Sequence, residues 1–353
     1  MSFFRRNNPN VLGIDVSSSA VKLIELSKHG SRYRVESYAV TPLPENAVID
    51  NNFADIDAIG ETIASVVERS GTKLKQAAVS VSGSAVITKI VTIPRPESDE
   101  ELDAQVELVA DQYIPYSLDE VNLDFSVIGT NERNPGMIDV QLAASRRENI
   151  DDRIAVLDIA GLKAKVVDVE AYSLENAYGL LHDSLPDYGP EATIAIADTG
   201  STVTTLNIIH KNKVIYSREQ GFGGKQLTEE IQRRYGLSYE EAGMAKKHGG
   251  LPDSYISEVL DPFKDVMCQQ IGRSLQFFFS SSSQHSVDQI ILSGGTSSLL
   301  GIDAVLEEKL GTPAMVANPF SQMTLAAKVK AQALSNDAPA MMIATGLALR
   351  SFD

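Results

Sequence analysis

A two-lobed α/β fold is the class this sequence predicts, and three observations predict it. Gly13-Ile14-Asp15-Val16-Ser17-Ser18-Ser19 and Ile194-Ala195-Ile196-Ala197-Asp198-Thr199-Gly200-Ser201-Thr202 share one form. In each, an apolar strand ends in Asp, turns through small hydroxyl residues and continues into a second strand, at 21–26 or 203–209. Strand-like and helix-like periodicities then alternate along both halves of the chain, as in α/β lobes. At 353 residues the chain also exceeds the usual size of a single core.

The elements follow in order. Runs at 11–16, 21–26 and 33–40 read as three strands, and Pro42 and Pro44 end the third. Ile56, Ile59, Ile63, Val66 and Val67 recur at helical spacing, Gly71 closes that helix, and 77–82 returns to strand. From 87 the texture changes. A strand at 87–93 is broken by Pro94-Arg95-Pro96, and an acidic helix with Leu102, Val106, Val109 and Tyr113 on one face follows. Its opening, Glu97-Ser98-Asp99-Glu100-Glu101, sets negative charge at the positive end of the helix dipole. Strands at 123–128 and 138–144, joined by the polar turn 131–136, and a helix at 147–160 complete a compact α+β insert.

A strand at 165–169 leads through Glu170 into a helix at 173–181, and Pro186, Gly189 and Pro190 mark the crossing to the second lobe. That lobe opens with the second Asp hairpin, followed by 216–222, Gly223-Gly224 and helices over 225–248. Gly249-Gly250 and Pro252 interrupt before a long helix at 262–279, whose Phe263, Val266, Met267, Ile271, Leu275 and Phe278 make an apolar stripe explained by core packing. A strand at 290–292, Gly294-Gly295, a helix at 302–310 and a terminal helix at 340–350 end the chain.

Composition removes several function classes. A formal charge of −16 argues against a nucleic-acid partner, which needs clustered Lys and Arg. Cys268 is the one cysteine, so no internal disulfide forms, and its helical apolar setting reads as a small buried hydrophobe. No apolar run is long enough for a membrane span. The opening Phe3-Phe4-Arg5-Arg6 lacks a signal-peptide core and reads as a frayed tail rather than a membrane contact. No G-x-x-x-x-G-K-[ST], G-x-G-x-x-G after a strand, or G-x-S-x-G occurs, and His29, His182, His210, His248 and His285 show no metal-ligand spacing.

The two Asp hairpins therefore carry the chemistry. Turns of this kind offer backbone N–H and hydroxyl donors to phosphate oxygens. A carboxylate beside a phosphate is repelled by about 1 kcal/mol at 4 Å even in water, so it belongs there only when a cation bridges the two. Mg²⁺, held by few carboxylates and completed by waters and phosphate oxygens, is the natural bridge. Asp15 and Asp198 would hold it largely through water; Ser17, Ser18, Ser19, Gly200, Ser201 and Thr202 would supply donors and Lys22 a positive charge. Ser293-Gly294-Gly295-Thr296-Ser297-Ser298, after an apolar strand, would let backbone approach a base or ribose. The competing reading of each hairpin is an ordinary turn built from turn-favouring residues.

Together and in this order, the three segments resemble the two phosphate loops and the adenosine loop of the actin-like ATPase superfamily, over nearly the whole chain. The insert between 77–82 and 165–169 is similar in place to the extra subdomain of FtsA-related members. Asp111-Gln112-Tyr113-Ile114-Pro115-Tyr116-Ser117-Leu118-Asp119-Glu120-Val121 is more particular. With Ala160-Gly161-Leu162, Asp168-Val169-Glu170 and Gly346-Leu347-Ala348-Leu349-Arg350, it resembles the PilM family, the actin-like components of type IV pilus machines.

The resemblance implies an actin-like two-lobe fold, each lobe with a five-stranded sheet, and ATP with Mg²⁺ between them. It implies a first-lobe core at 1–86, an FtsA-type α+β insert at 87–164 and a return to the first lobe at 165–192. The second-lobe core would occupy 193–222 and 276–335, its subdomain 223–275, and a helix packing on the first lobe 336–353. Glu170 matches a position near the attacking water, where it would orient rather than deprotonate; the alternative is a helix N-terminal carboxylate that caps backbone donors. Gly223, Gly224 and Lys225 match a segment along the nucleotide sugar, and Gly294, Gly295, Thr296 and Ser297 the adenosine loop. Lys246 matches a basic residue flanking adenine; the glutamate often found two residues earlier is Met244 here, which leaves Lys246 open to being a solvated lysine.

The implied function is an ATP-binding scaffold in the cytoplasm, with slow hydrolysis at most, peripheral at the inner membrane. The implied partners are the N-terminal cytoplasmic peptide of PilN, docking beside the insert, and other platform or motor proteins of the pilus. The chain ends at Arg350-Ser351-Phe352-Asp353 without the amphipathic membrane helix of FtsA relatives, and its negative charge opposes an anionic leaflet, so recruitment by protein is expected. A small-molecule kinase on the same frame and a self-associating filament are the alternatives.

Overall fold

The central strand of the first lobe explains its surroundings. Val11, Leu12 and Ile14 are all buried, so the strand Leu12–Val16 is covered on both faces, as a continuous apolar run requires. One cover is the helix Ile56–Ser70, whose Ile59, Ile63 and Val66 share a core with Leu12 and Ile14. Asp55 caps that helix and Gly71 ends it in the left-handed conformation. The other cover is the helix Met342–Leu349. In this computed structural model residues 10–352 are described, so the Phe3-Phe4-Arg5-Arg6 segment lies outside them.

The first sheet runs Lys163–Val169, Gln76–Val81, Leu12–Val16, Ala20–His29, Arg32–Pro42 and Thr324–Leu325. The second runs Ala314–Val316, Gln289–Ser293, Thr193–Thr199, Thr204–His210 and Lys213–Gln220. In both, an antiparallel hairpin pair adjoins parallel strands on the other side of the Asp-bearing strand. The first sheet has a sixth strand beyond the expected five: Thr324–Leu325 pairs with Arg34 and Val35, whereas the resemblance implies a place for 276–335 in the second lobe.

Two helices lie between the sheets. Glu170–Tyr178 contributes Leu174 and Ala177 to the second-lobe core, which also takes Met342. Met342–Leu349 buries Ala344 and Ala348 against Ile24 and Leu26 of the first. Their backbones touch at Gly346, where a Cβ would stand 1.7 Å from the Ser173 carbonyl oxygen.

The insert is a three-stranded antiparallel sheet, ordered Val86–Pro94, Met137–Arg146 and Val121–Thr130, with the helix Asp99–Tyr113 packed on it. Its core holds Val91, Ile93, Val106, Ala110, Val140 and Leu142. The helix expected to complete it, Arg147–Ile159, instead buries Val156 and Leu157 in the first-lobe core. Ile159 seats against the bare backbone of Gly60, where a Cβ would lie 2.6 Å away. In the second lobe, 225–248 divides into Gly224–Tyr235 and Tyr239–His248: Gly236 ends the first and a Ser238–Glu241 capping box starts the second. One small hairpin, Val48–Ile49 with Asn52–Phe53, escaped the sequence reading; Asp50 and Asn51 both have positive φ at its tip, the two-residue turn that Asn and Asp accept.

Candidate functional site

A cleft of about 760 Å³ opens between the two sheets, and both Asp hairpins turn into it. The first turn is closed by Ser17, whose N–H and Oγ both donate to the Ala20 carbonyl, at 3.0 and 2.9 Å. The second is closed by Gly200 N–H donating to Val203 O at 2.9 Å. The turns meet directly: Thr202 Oγ1 donates to Ser18 Oγ at 3.2 Å, from one lobe to the other.

Behind the turns lie the carboxylates. Asp15 is buried and takes the Lys22 ammonium at 2.6 Å, so Lys22 is directed at Asp15. Burial opposes charge on Lys22, but Asp15, with help from Asp198 and Glu170, holds its pKa above the ordinary lysine value. Burial pushes the Asp198 carboxyl up to about 6 against the pull of Lys22. Ser293 Oγ reaches Asp198 at 3.4 Å. Gly294, at φ +86°, passes so close that a Cβ would lie 2.4 Å from Asp198 Oδ1; only glycine serves here. Glu170, at the start of its helix, is pushed up to about 8 by burial and by the charges of Asp15, Asp198 and Glu219, with Arg153 pulling the other way.

The opposite end is built from the second lobe. Thr296 Oγ1 donates to Gly200 O at 2.7 Å, fastening the third segment to the second turn. Lys246 donates to Gly224 O at 3.0 Å and Thr228 Oγ1 at 2.6 Å, and burial lowers its pKa. It therefore braces the start of the helix Gly224–Tyr235 rather than standing in solvent, while Met244 is 58 % exposed.

Asp15, Ser17, Ser18, Ser19, Lys22, Glu170, Asp198, Gly200, Ser201, Thr202, Gly224, Lys246, Gly294, Gly295 and Thr296 all line the cleft. Gly223, Lys225 and Ser297 do not. Gly223 packs under the second turn, where a Cβ would lie 2.4 Å from Ser201 O. The Lys225 side chain is exposed near Glu229, and Ser297 is buried with its hydroxyl on Ser293 O at 2.6 Å. The cleft floor also carries Asn51 and Arg153, which sequence reasoning missed. The Asp50-Asn51 pair was a readable hairpin signal; Arg153, one charge in a helix, gave none. Among the described residues no cluster of three or more His, Cys, Asp or Glu forms a metal cage, and no helix is long and apolar enough to cross a membrane.

Comparison with known proteins agrees with this architecture. A solved structure of a PilM-PilN type IV pilus biogenesis complex contains a chain 27 % identical, with a TM-score of 0.80 over 98 % of this chain and 99 % of that one. The ethanolamine utilization protein EutJ from Carboxydothermus hydrogenoformans is 16 % identical, with a TM-score of 0.58 over 97 % of this chain and 89 % of its own, a likeness of fold alone. The fold is thus the actin-like ATPase fold with an α+β insert in its first lobe. The sequence profile described as type IV pilus assembly protein PilM matches residues 13–352, and the chain belongs to that family.

Proposed function

We propose that this protein is an ATP-binding scaffold of type IV pilus assembly, held at the inner membrane by the N-terminal cytoplasmic peptide of PilN. It would link the alignment proteins of the pilus to its motor platform. The family assigns the chain to pilus assembly, and the relative of known structure is described in complex with PilN. The observation that carries the nucleotide reading is the pair of Asp turns meeting across one cleft at Thr202 and Ser18.

The residues fit ATP with Mg²⁺. Two carboxylates, Asp15 and Asp198, suit a small cation that keeps most of its waters and takes phosphate oxygens. The bare backbone at Gly294 lets the third segment pack directly on Asp198 and Thr199, which holds that carboxylate at the cleft. Mg²⁺ would neutralise phosphate charge between the two lobes. Ser17, Ser18, Ser19, Gly200, Ser201 and Thr202 supply donors, and Gly224, Gly295 and Thr296 wall the nucleoside end. Glu170, whose pKa burial and the neighbouring carboxylates raise to about 8 in the empty cleft, would orient a water by hydrogen bonding rather than take its proton outright.

Calorimetry with ATP–Mg²⁺ and separately with the PilN N-terminal peptide tests this reading. Saturable binding of both is expected, with turnover far below about 10 per second. Absence of nucleotide binding, or phosphorylation of a small acceptor at enzymatic rates, would overturn it.

A further inference from the structure

Glu219 joins three parts of the molecule. It lies on the outer strand of the second sheet, Lys213–Gln220. Its Oε2 accepts from Asn51 Nδ2 at 3.0 Å and its Oε1 from Ser84 N–H at 3.1 Å, both donors belonging to the first lobe. With both oxygens engaged by separate donors, the carboxylate fixes a geometry as well as an attraction.

Those donors sit at the stem of the insert. Ser84 is in the single turn Gly83–Ala85 that enters the first insert strand. The last insert strand, Met137–Arg146, runs without a linker into the helix carrying Arg153. Arg153 donates to Asn51 O at 3.4 Å and to Ser80 O at 3.3 Å, and its guanidinium stacks 4.0 Å from the Phe53 ring. Ser145 Oγ donates to Ala85 O at 2.8 Å, binding entry and exit together.

The same carboxylate is in register with the nucleotide cleft. Asp198 pairs with Thr205 across one strand boundary, and Thr205 pairs with Glu219 across the next. Residues so paired share a face of the sheet, and two strand spacings separate Asp198 from Glu219, about 10 Å. A movement of the second lobe on ligand binding would therefore carry Glu219 with Asp198, since both belong to one hydrogen-bonded sheet.

We infer that Glu219 is the positioning residue through which closure of the second lobe sets the orientation of the insert, and so the affinity for the partner peptide. The inference rests on the function proposed above. Two discrete lobe arrangements biased by both ligands make the coupling reciprocal: each ligand changes the affinity of the other by the same factor.

The test measures PilN-peptide affinity with and without ATP–Mg²⁺, and ATP affinity with and without peptide, in the parent, Glu219→Gln and Glu219→Ala. Glutamine keeps the shape but leaves one acceptor in place of two, and alanine removes both. A second readout is the distance between spin labels on Glu132→Cys in the insert and Asp253→Cys in the second lobe, both exposed, with native Cys268 buried. The parent is expected to show a mutual effect of about fivefold or more and an ATP-dependent change in distance. Both variants are expected to bind each ligand alone while the mutual effect falls to about one and the distance stops responding. Full coupling retained in both variants overturns the inference, as does a parent that binds both ligands independently, and neither outcome touches the proposed function. A parent that binds neither ligand overturns the function and this inference together.

Discussion

Lys22 faces Asp15 directly across the first hairpin, in register on neighbouring strands, with Nζ 2.6 Å from Oδ2. The Asp15 side chain is 3 % exposed and that of Lys22 13 %. Strand pairing thus delivers a cation to a carboxylate that would otherwise be buried alone. Removing one partner of such a pair leaves an uncompensated charge, whereas removing both does not. Lys22→Met is expected to destabilise the nucleotide-free protein by about 3 kcal/mol, and Asp15→Asn with Lys22→Met to recover most of it. Urea unfolding of the three proteins measures this; a single variant as stable as the parent would show that the pair does not hold the hairpin.

Asp198 differs, because Lys22 pairs with Asp15 and only pulls on Asp198 from beyond, and burial raises the Asp198 pKa to about 6. Its charge is therefore costly in the empty cleft and useful when a divalent cation arrives. Asp198→Asn keeps the shape that Gly294 packs against. It is expected to weaken ATP–Mg²⁺ binding by about 10- to 100-fold. Its effect on unfolding free energy is expected to stay within about 1 kcal/mol. Calorimetry and chemical unfolding on one preparation compare the two; unchanged affinity would remove Asp198 from the metal site.

Glu170 gives a pH dependence whose sign is fixed. Unfolded, its carboxyl titrates near 4.5; folded, burial raises it to about 8. Between those values the native state holds a proton that the unfolded state has lost. Its stabilising contribution is complete below the unfolded value and is lost as pH rises through the folded one, by at most about 1.4 kcal/mol per pH unit. Glu170→Gln stays neutral throughout, so in the metal-free protein its stability relative to the parent should rise from about pH 5 to about pH 8. Thermal unfolding across that range checks the slope, and a constant difference would place Glu170 in a wetter setting.

How far this was readable from sequence depends on the range of each interaction. Both Asp turns, the Gly294-Gly295 segment and the alternation of strands and helices are local patterns, and they appear where periodicity put them. Lys22 reads from sequence as a positive charge near the site, but its aim at Asp15 follows from hairpin register, a pairing between strands. The helix Arg147–Ile159 reads as part of the insert because it follows it directly, yet its Val156 and Leu157 find their core beside Ile59 and Ile63. Thr324–Leu325 is too short to show any period, and only its pairing with Arg34 and Val35 makes it a strand. Glu219 carries no local mark at all; its role emerges from donors more than a hundred residues away in sequence, Ser84 and Asn51.

The contact between the two central helices makes the sharpest packing prediction. At Gly346 a Cβ would stand 1.7 Å from Ser173 O and 2.5 Å from Ser173 C, both backbone atoms that no rotamer change can move. Gly346→Ala must push Met342–Leu349 away from Glu170–Tyr178, opening the cores that both helices share with the two sheets. The expected cost is about 3 kcal/mol or more. Gly179, at the end of Glu170–Tyr178, is the control: it has right-handed helical angles and open space around its Cβ direction. Gly179→Ala should be neutral or stabilise by about 0.5–1 kcal/mol, because the unfolded chain loses freedom. Comparable losses in the two variants would mean that glycine is kept at 346 for reasons other than the helix contact.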